Sequence, residues 1–262
     1  MNNLLILQAG TLWMREIVRF VRQRSRVTGA LLQPLLFWLV LGAGLAASFQ
    51  PSGMPKGTGY AEYFYPGVIM LVLLFTAIFG TVSTIEDRRE GFLQGVLVAP
   101  VSRTTVVMGQ ALGGTTLALV QGLIFLVLAP FAGIHLTLAA VLVSGAMMAV
   151  IAFGLTSIGL IIAWRMESTQ GFHVIVNMIL IPVWLLSGAF FPQTGVPAWL
   201  EWPMRLNPLS YGMSALRRAL YLGQPESFCS LTSFHWSVLV SIAFALAMFA
   251  IAARVARHSS PV

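Results

Sequence analysis

Residues able to do chemistry are scarce in this chain, and they stand far apart. His135, His173, His235 and His258 have no Asp or Glu at metal-ligand spacing, so no metal site is expected. Cys229 is the one cysteine, which excludes an internal disulfide framework and any zinc cluster of paired cysteines. No Gly-x-x-x-x-Gly-Lys-Ser/Thr run occurs to cradle phosphates, so the chain does not bind ATP by that route. No Gly-x-Ser-x-Gly elbow supports a Ser, His and acid triad. The sequence therefore assigns no catalytic residue and no cofactor to the chain itself.

The chemistry that remains is charge and hydrogen bonding, gathered in three segments. Arg15, Arg19, Arg22 and Arg26 recur at helical spacing beside an apolar stripe of Trp13, Ile17, Phe20 and Val21. That pattern predicts an amphipathic helix within residues 1–29, its apolar face among acyl chains and its arginines near anionic headgroups. Residues 1–26 do not read as a cleavable signal, because the arginines follow the first apolar stretch. The second segment, 86–103, crowds Glu86, Asp87, Arg88, Arg89 and Glu90 together, then places Phe92, Leu93, Val96 and Leu97 at helical spacing before Pro100. A short helix with a charged entry and an apolar face suits docking into a groove on another protein. The third, 192–223, is broken by Pro192, Pro197, Pro203 and Pro208 yet is too apolar for an ordinary loop. Asn207 can cap a helix that starts at Pro208, and Gly223 with Pro225 can end it. It reads as a re-entrant or interfacial helical pair.

The elements that hold these segments are set by solvent. Apolar residues make up 58% of the 262 positions and charged residues 9%, too few charges to cover a water-soluble core. Six apolar stretches are long enough to span a hydrocarbon core, which takes about 20 helical residues. They fall near 30–49, 64–85, 105–130, 137–164, 173–191 and 235–253. Backbone polar groups must be satisfied inside lipid, and the alternation needed by a membrane barrel is absent, so the spans are helices. The fold class is all-α integral membrane: residues 1–262 form one transmembrane domain with an interfacial helix at its start.

Arginine and lysine positions set the orientation. One side carries Arg15, Arg19, Arg22, Arg24, Arg26, Arg88, Arg89, Arg103, Arg165, Arg254 and Arg257; the other carries Lys56, Arg205, Arg217 and Arg218. The richer side is expected to be cytoplasmic, with both termini inside. The net charge of +7 then reflects topology, and nucleic acid is not an expected partner. Within the spans Gln33, Gln110, Gln121 and Asn177 are the main polar residues. Gln121 and Asn177 serve either as interhelical hydrogen-bonding groups or as contacts along a translocation path. Small residues at four-residue spacing, Gly145 with Ala149 and Ala152 with Thr156, mark close packing in the fourth span.

Taken together, the chain resembles the permease subunits of type-2 ABC exporters, which move drugs, lipids and polysaccharides. The most specific part is WLLSGAFFPQTGVPAWLEWPMRLNPLSYGMSALRRALYLG, residues 184–223. The family signature falls on Ser187, Gly188, Phe191, Pro192, Asn207, Pro208, Leu209, Tyr211 and Arg217. Glu90-Gly91 through Pro100-Val101-Ser102-Arg103 is similar to the family's coupling loop, although Gln94 stands where many relatives carry an acid. The resemblance implies a second copy of the chain and two ATP-binding cassette subunits that hold ATP and magnesium. It also implies residence in the bacterial cytoplasmic membrane, and a path between two permease chains for an amphipathic, lipid-like, drug or glycan substrate. Two rival classes are weaker. An ion-coupled secondary transporter needs inverted repeats and a midplane ionisable site. A membrane-embedded enzyme needs polar or acidic residues clustered at one membrane face.

Overall fold

The computed structural model describes residues 2–22, 24–45, 59–92, 101–193, 196–222 and 232–258. Ten α-helices occur among them: α1 (Asn2–Arg22), α2 (Arg24–Leu45), α3 (Tyr60–Phe79), α4 (Val82–Arg89), α5 (Arg103–Leu128), α6 (Leu138–Ala163), α7 (Thr169–Trp184), α8 (Ala198–Leu206), α9 (Pro208–Leu220) and α10 (Phe234–His258). A 3-10 turn, Ala129–Ala132, closes α5, and a π turn, Leu185–Ala189, closes α7. The described residues contain no strand.

Six helical runs are long and apolar enough to cross a membrane: Thr28–Leu45, Tyr60–Arg89, Arg103–Ala132, Leu138–Ala163, Thr169–Ala189 and Phe234–His258. They match the six expected spans, with ends differing by a few residues. Several run beyond the apolar stretch because the helix continues past the hydrocarbon into polar sequence, as Tyr60–Arg89 does. Of the arginine stripe, Arg15, Arg19 and Arg22 lie in α1 and Arg26 lies in α2.

Starts are set locally. Ser102, Thr137 and Ser168 cap α5, α6 and α7, each side-chain oxygen accepting from a backbone N–H in the first turn. Asn207 caps α9 by accepting from Leu209 N, with Pro208 at the first helical position, as the sequence implied.

The centre of the bundle is α3, apolar on every side and buried on every side. It packs against α2, α5, α6 and α7. Trp38 of α2 donates from Nε1 to the Ala61 carbonyl at 3.1 Å and sets its ring edge-on to Tyr65. Small residues let helices close up where no apolar driving force separates helix from lipid. A Cβ on Gly114 would lie 2.6 Å from Thr156, and one on Gly159 would lie 2.7 Å from Thr81. Gly145 is not such a contact, since its nearest neighbour would be 3.9 Å away. Close approach on α6 lies further along, at Gly154 and Gly159.

Gly67 meets the backbone of the π turn, and its Cβ would lie 2.6 Å from the Ala189 carbonyl oxygen. Gly67→Ala is therefore expected to destabilise the detergent-solubilised chain by about 1–3 kcal/mol through overpacking. Gly44→Ala, which meets nothing within 4 Å, serves as control in the same thermal unfolding measurement. Equal midpoints for the two variants would refute this account of the contact.

Candidate functional site

Two clusters of polar side chains stand at opposite ends of the rod formed by α3 and α4. The first joins α1 to α4. Arg15 and Arg19 are one turn apart on α1 and present the same face. Arg15 reaches both carboxylate oxygens of Asp87, at 2.7 and 2.6 Å, in a bidentate pair. Arg19 donates to Asp87 Oδ1 at 2.7 Å and to Glu86 Oε2 at 2.7 Å. Asp87 is 1% exposed, so its charge depends on these two guanidinium groups. Arg88 turns the other way, donating to the carbonyls of Trp164 and Met166 where α6 ends. Arg103 does the same for Ala256 and Arg257 near the end of α10.

The sequence placed this arginine stripe at the lipid headgroups and offered the charged run as a docking face. The structure corrects both in part. Arg15 and Arg19 point inward because two carboxylates on α4 are better partners than water, while Arg22 remains exposed. From the run itself, Glu86, Asp87 and Arg88 are engaged within the chain, and Arg89, Glu90 and Phe92 are left at the surface. The Arg15 guanidinium lies 3.7 Å from the centre of the Phe92 ring, so the charge cluster also holds the aromatic. Leu93 and Leu97, like the Arg26 side chain, lie outside the described residues.

Glu16 was not singled out in the sequence. It is 8% exposed, accepts from Ser83 Oγ at 3.0 Å, and lies against Gly113 of α5. Burial, then the nearby Asp87 charge, pushes its carboxyl above the usual range. Its signal was available: an acid set between Arg15 and Arg19 on a helix that otherwise carries no acid. On the same helix Trp13 donates from Nε1 to Thr116 Oγ1 at 3.0 Å, and Leu12 packs over Gly109, so α1 is seated on α5 as well as on α4.

The second cluster surrounds the broken end of α7. Pro182, the π turn and Gly188 at φ 83° release backbone carbonyls that the helix no longer uses. Several of them accept from a side chain. Asn207 Nδ2 donates to Val183 O at 2.6 Å, and Ser187 Oγ to Trp184 O at 2.6 Å. Ser210 Oγ donates to Leu186 O at 3.3 Å, and Gln193 Nε2 to Ser187 O at 3.1 Å. Gly188 O accepts from the Tyr63 hydroxyl at 3.0 Å and from Arg217 Nη2 at 3.1 Å. Arg217 is 5% exposed and rests 4.2 Å from the centre of the Tyr63 ring. Tyr211 links α9 to α8 by donating to Arg205 O at 2.9 Å. Pro192 follows the turn, where the helix cannot resume.

Gln121 and Asn177 are not brought together. Gln121 is buried between α3 and α5, its Oε1 accepting from Thr76 Oγ1. Asn177 is exposed on α7, as Gln33 is on α2. The described residues hold no group of three or more His, Cys, Asp or Glu that could bind a metal ion.

The family profile described as ABC-2 type transporter matches residues 7–221, from α1 through α9. The chain belongs to the ABC-2 type transporter family. It is similar to ycf38 of Cyanophora paradoxa, a protein named as a transport permease, at 29% identity, covering 78% of this chain and 70% of that one. Nodulation protein J of Rhizobium leguminosarum bv. trifolii is 24% identical, covering 81% of this chain and 80% of its own length. The inner membrane transport permease YadH of Escherichia coli (strain K12) is 24% identical, over 79% and 80% respectively. The matched region includes both clusters, so this ABC-2 permease carries them within its family domain.

Asp87→Asn in the permease removes half of a pair whose acid is buried. Full burial of both partners would cost about 3–5 kcal/mol. Arg15 and Arg19 keep 30% and 22% side-chain exposure, so about 2 kcal/mol is expected after screening. Proteolysis or thiol labelling of single-cysteine variants on α1 should then show α1 loosened while the spans stay folded; unchanged protection would count against the pairing.

The pH response of α1 follows from Glu16. A carboxyl whose folded pKa is raised binds its proton more tightly in the docked state. The Glu16 contribution to docking is then fullest below the ordinary carboxyl range and is lost as pH rises through the raised value. Glu16→Gln should flatten that dependence of α1 protection, and a slope unchanged by the substitution would exclude Glu16 as its source.

Proposed function

We propose that this permease is the membrane-spanning subunit of an ATP-driven exporter, working as two copies with two ATP-binding subunits in a bacterial cytoplasmic membrane. Both termini, α1 and the 86–103 segment face the cytoplasm, where most of the arginines lie. ATP and magnesium belong to the partner subunits; this chain supplies the path and has no ATPase site. The substrate class is amphipathic: a lipid-like molecule, a drug or a lipid-linked glycan. The pair α8 and α9 sits at the outer membrane face, with Trp199 and Trp202 exposed in keeping with an interfacial level. Exposed Gln33 and Asn177 favour a seam along α2 and α7, because a second copy supplies polar partners that lipid lacks.

The observation that carries the coupling role is the ion-paired junction of α1 with α4. Arg15 and Arg19 bind α1 to the segment that presents Arg89, Glu90 and Phe92 outward. A partner that moves this segment must also move α1. In this reading ATP binding closes the partner pair, and the shift reaches the spans through that junction.

Phe92, 40% exposed, is the aromatic anchor available to the partner. Phe92→Ala with Leu97→Ala should weaken association with the ATPase by about 2 kcal/mol, roughly thirtyfold, and abolish transport. Membrane insertion should be unaffected. Co-purification of the ATPase at equal permease levels measures this, with Lys56→Ala as a control expected on the opposite face. Undiminished co-purification and transport would remove this segment as the coupling element.

A further inference from the structure

Helix α7 lies at the side of the bundle. Its principal neighbours are α3, α4 and its own π turn. Its outward face leaves Val174, Met178 and Ile179 exposed. The C-terminal end is fixed by the side chains that meet the π turn. The N-terminal end is fixed from α4. Arg88 Nη1 donates to the Trp164 carbonyl at 2.8 Å, and Nη2 donates to that of Met166. These carbonyls close α6, where the helix presents partial negative charge, so a guanidinium is favoured there. Met166 stands three residues before Thr169, where α7 begins. Three residues of chain span at most about 10 Å, which leaves little slack between the carbonyls Arg88 holds and the first turn of α7. Buried Phe172 and the ring of His173, 4.9 Å from that of Phe79, seat the same end on α3. Those contacts are non-directional. The two hydrogen bonds decide where the turn sits along α4.

We infer that Arg88 is the positioning residue that makes the N-terminal end of α7 follow α4. A planar fork is what the task needs, since a lysine at 88 would supply one point charge and could not hold two carbonyls in one fixed geometry. The tie lies wholly within this chain, while its consequence rests on the reading of 86–103 as the segment that a partner moves. In that reading a push on α4 reaches α7 directly, as well as along the rod to the π turn. Held to the rod at both ends, α7 is carried with it, and the seam that α7 borders opens or closes accordingly.

The test uses spin labels in a Cys229→Ser background. In the purified chain, labels at Glu90→Cys and Glu167→Cys should give a single narrow distance distribution. Arg88→Gln should lose that single distribution, and Arg165→Gln, at an exposed arginine of the same turn, should keep it. Helical content matching the wild type is required of each variant; Arg88→Lys, which gives up the fork, replaces Arg88→Gln should the latter misfold. In the complex with the ATP-binding subunit, a label at Val174→Cys on each of two copies should report a shift when nucleotide binds. Arg88→Gln should abolish that shift while the ATPase still co-purifies and hydrolyses ATP, a separation that a merely structural role would not produce. A distribution unchanged by Arg88→Gln, or a nucleotide-driven shift that survives it, would overturn the inference. Failure of the wild type to bind any ATPase would sink the export reading instead, and the labels at 90 and 167 would still decide whether Arg88 ties α7 to α4.

Discussion

A carbonyl freed from its helix inside a membrane protein has to be met by a donor, because lipid offers none. Much of this architecture follows from that constraint at one place, the end of α7. Pro182 and Gly188 interrupt the helix, and carbonyls between Val183 and Phe190 take side-chain partners instead. Their donors are Asn207, Ser210 and Arg217 at the start of and within α9, Tyr60 and Tyr63 of α3, and Ser187 and Gln193 of the turn's own segment. Burying Arg217 would be prohibitive in isolation. Here its guanidinium is compensated by a carbonyl oxygen and an aromatic face rather than by an acid. The proline-broken segment is thereby made into a fixed end-piece on the bundle.

At the other end of the rod the same physics works through charge. Asp87 can be buried because two arginines on α1 satisfy it, and α1 is held because those arginines have no comparable partner elsewhere. The small residues of α5 complete the fit: Gly109 and Gly113 let α1 approach until Leu12 and Glu16 touch the α5 backbone. A helix held only by lipid would slide; α1 is keyed to two spans.

How much of this was legible in sequence divides along physical lines. The six spans, the all-α class and the Asn207 cap with Pro208 were readable, because apolar run length and local capping chemistry are properties of consecutive residues. The pairing of Arg15 and Arg19 with Glu86 and Asp87 was not, since it joins residues about seventy positions apart. A stripe of arginines on an amphipathic helix has the same sequence pattern whether it faces phosphates or carboxylates. Arg217 raised the same difficulty in reverse. It was counted among the outward-facing cations, yet it is buried, because the acceptors that justify burial are backbone carbonyls that carry no sequence signal. Gln121 could have been a path residue or an interhelical one, and its Thr76 partner on α3 was invisible without the packing.

The two clusters are not independent, because one stiff element touches both. Tyr63 grips the turn at Gly188, and Asp87 grips α1; about 36 Å of helix lies between them at 1.5 Å per residue. That length exceeds the hydrocarbon thickness of about 30 Å, so the rod reaches from one interface to the other. Gly80 and Thr81, between α3 and α4, retain right-handed helical dihedrals, so the break there does not act as a hinge. Thr81 is locked against Gly159 of α6 as well, which removes the slack that a kink would introduce. A rod buried along most of its length cannot bend without opening the core it fills. Any displacement applied to α4 must then appear at the α7 turn as translation or tilt of the whole element. The turn is where α3, α7 and α9 share hydrogen bonds, so it is the part of the far end able to register such a movement.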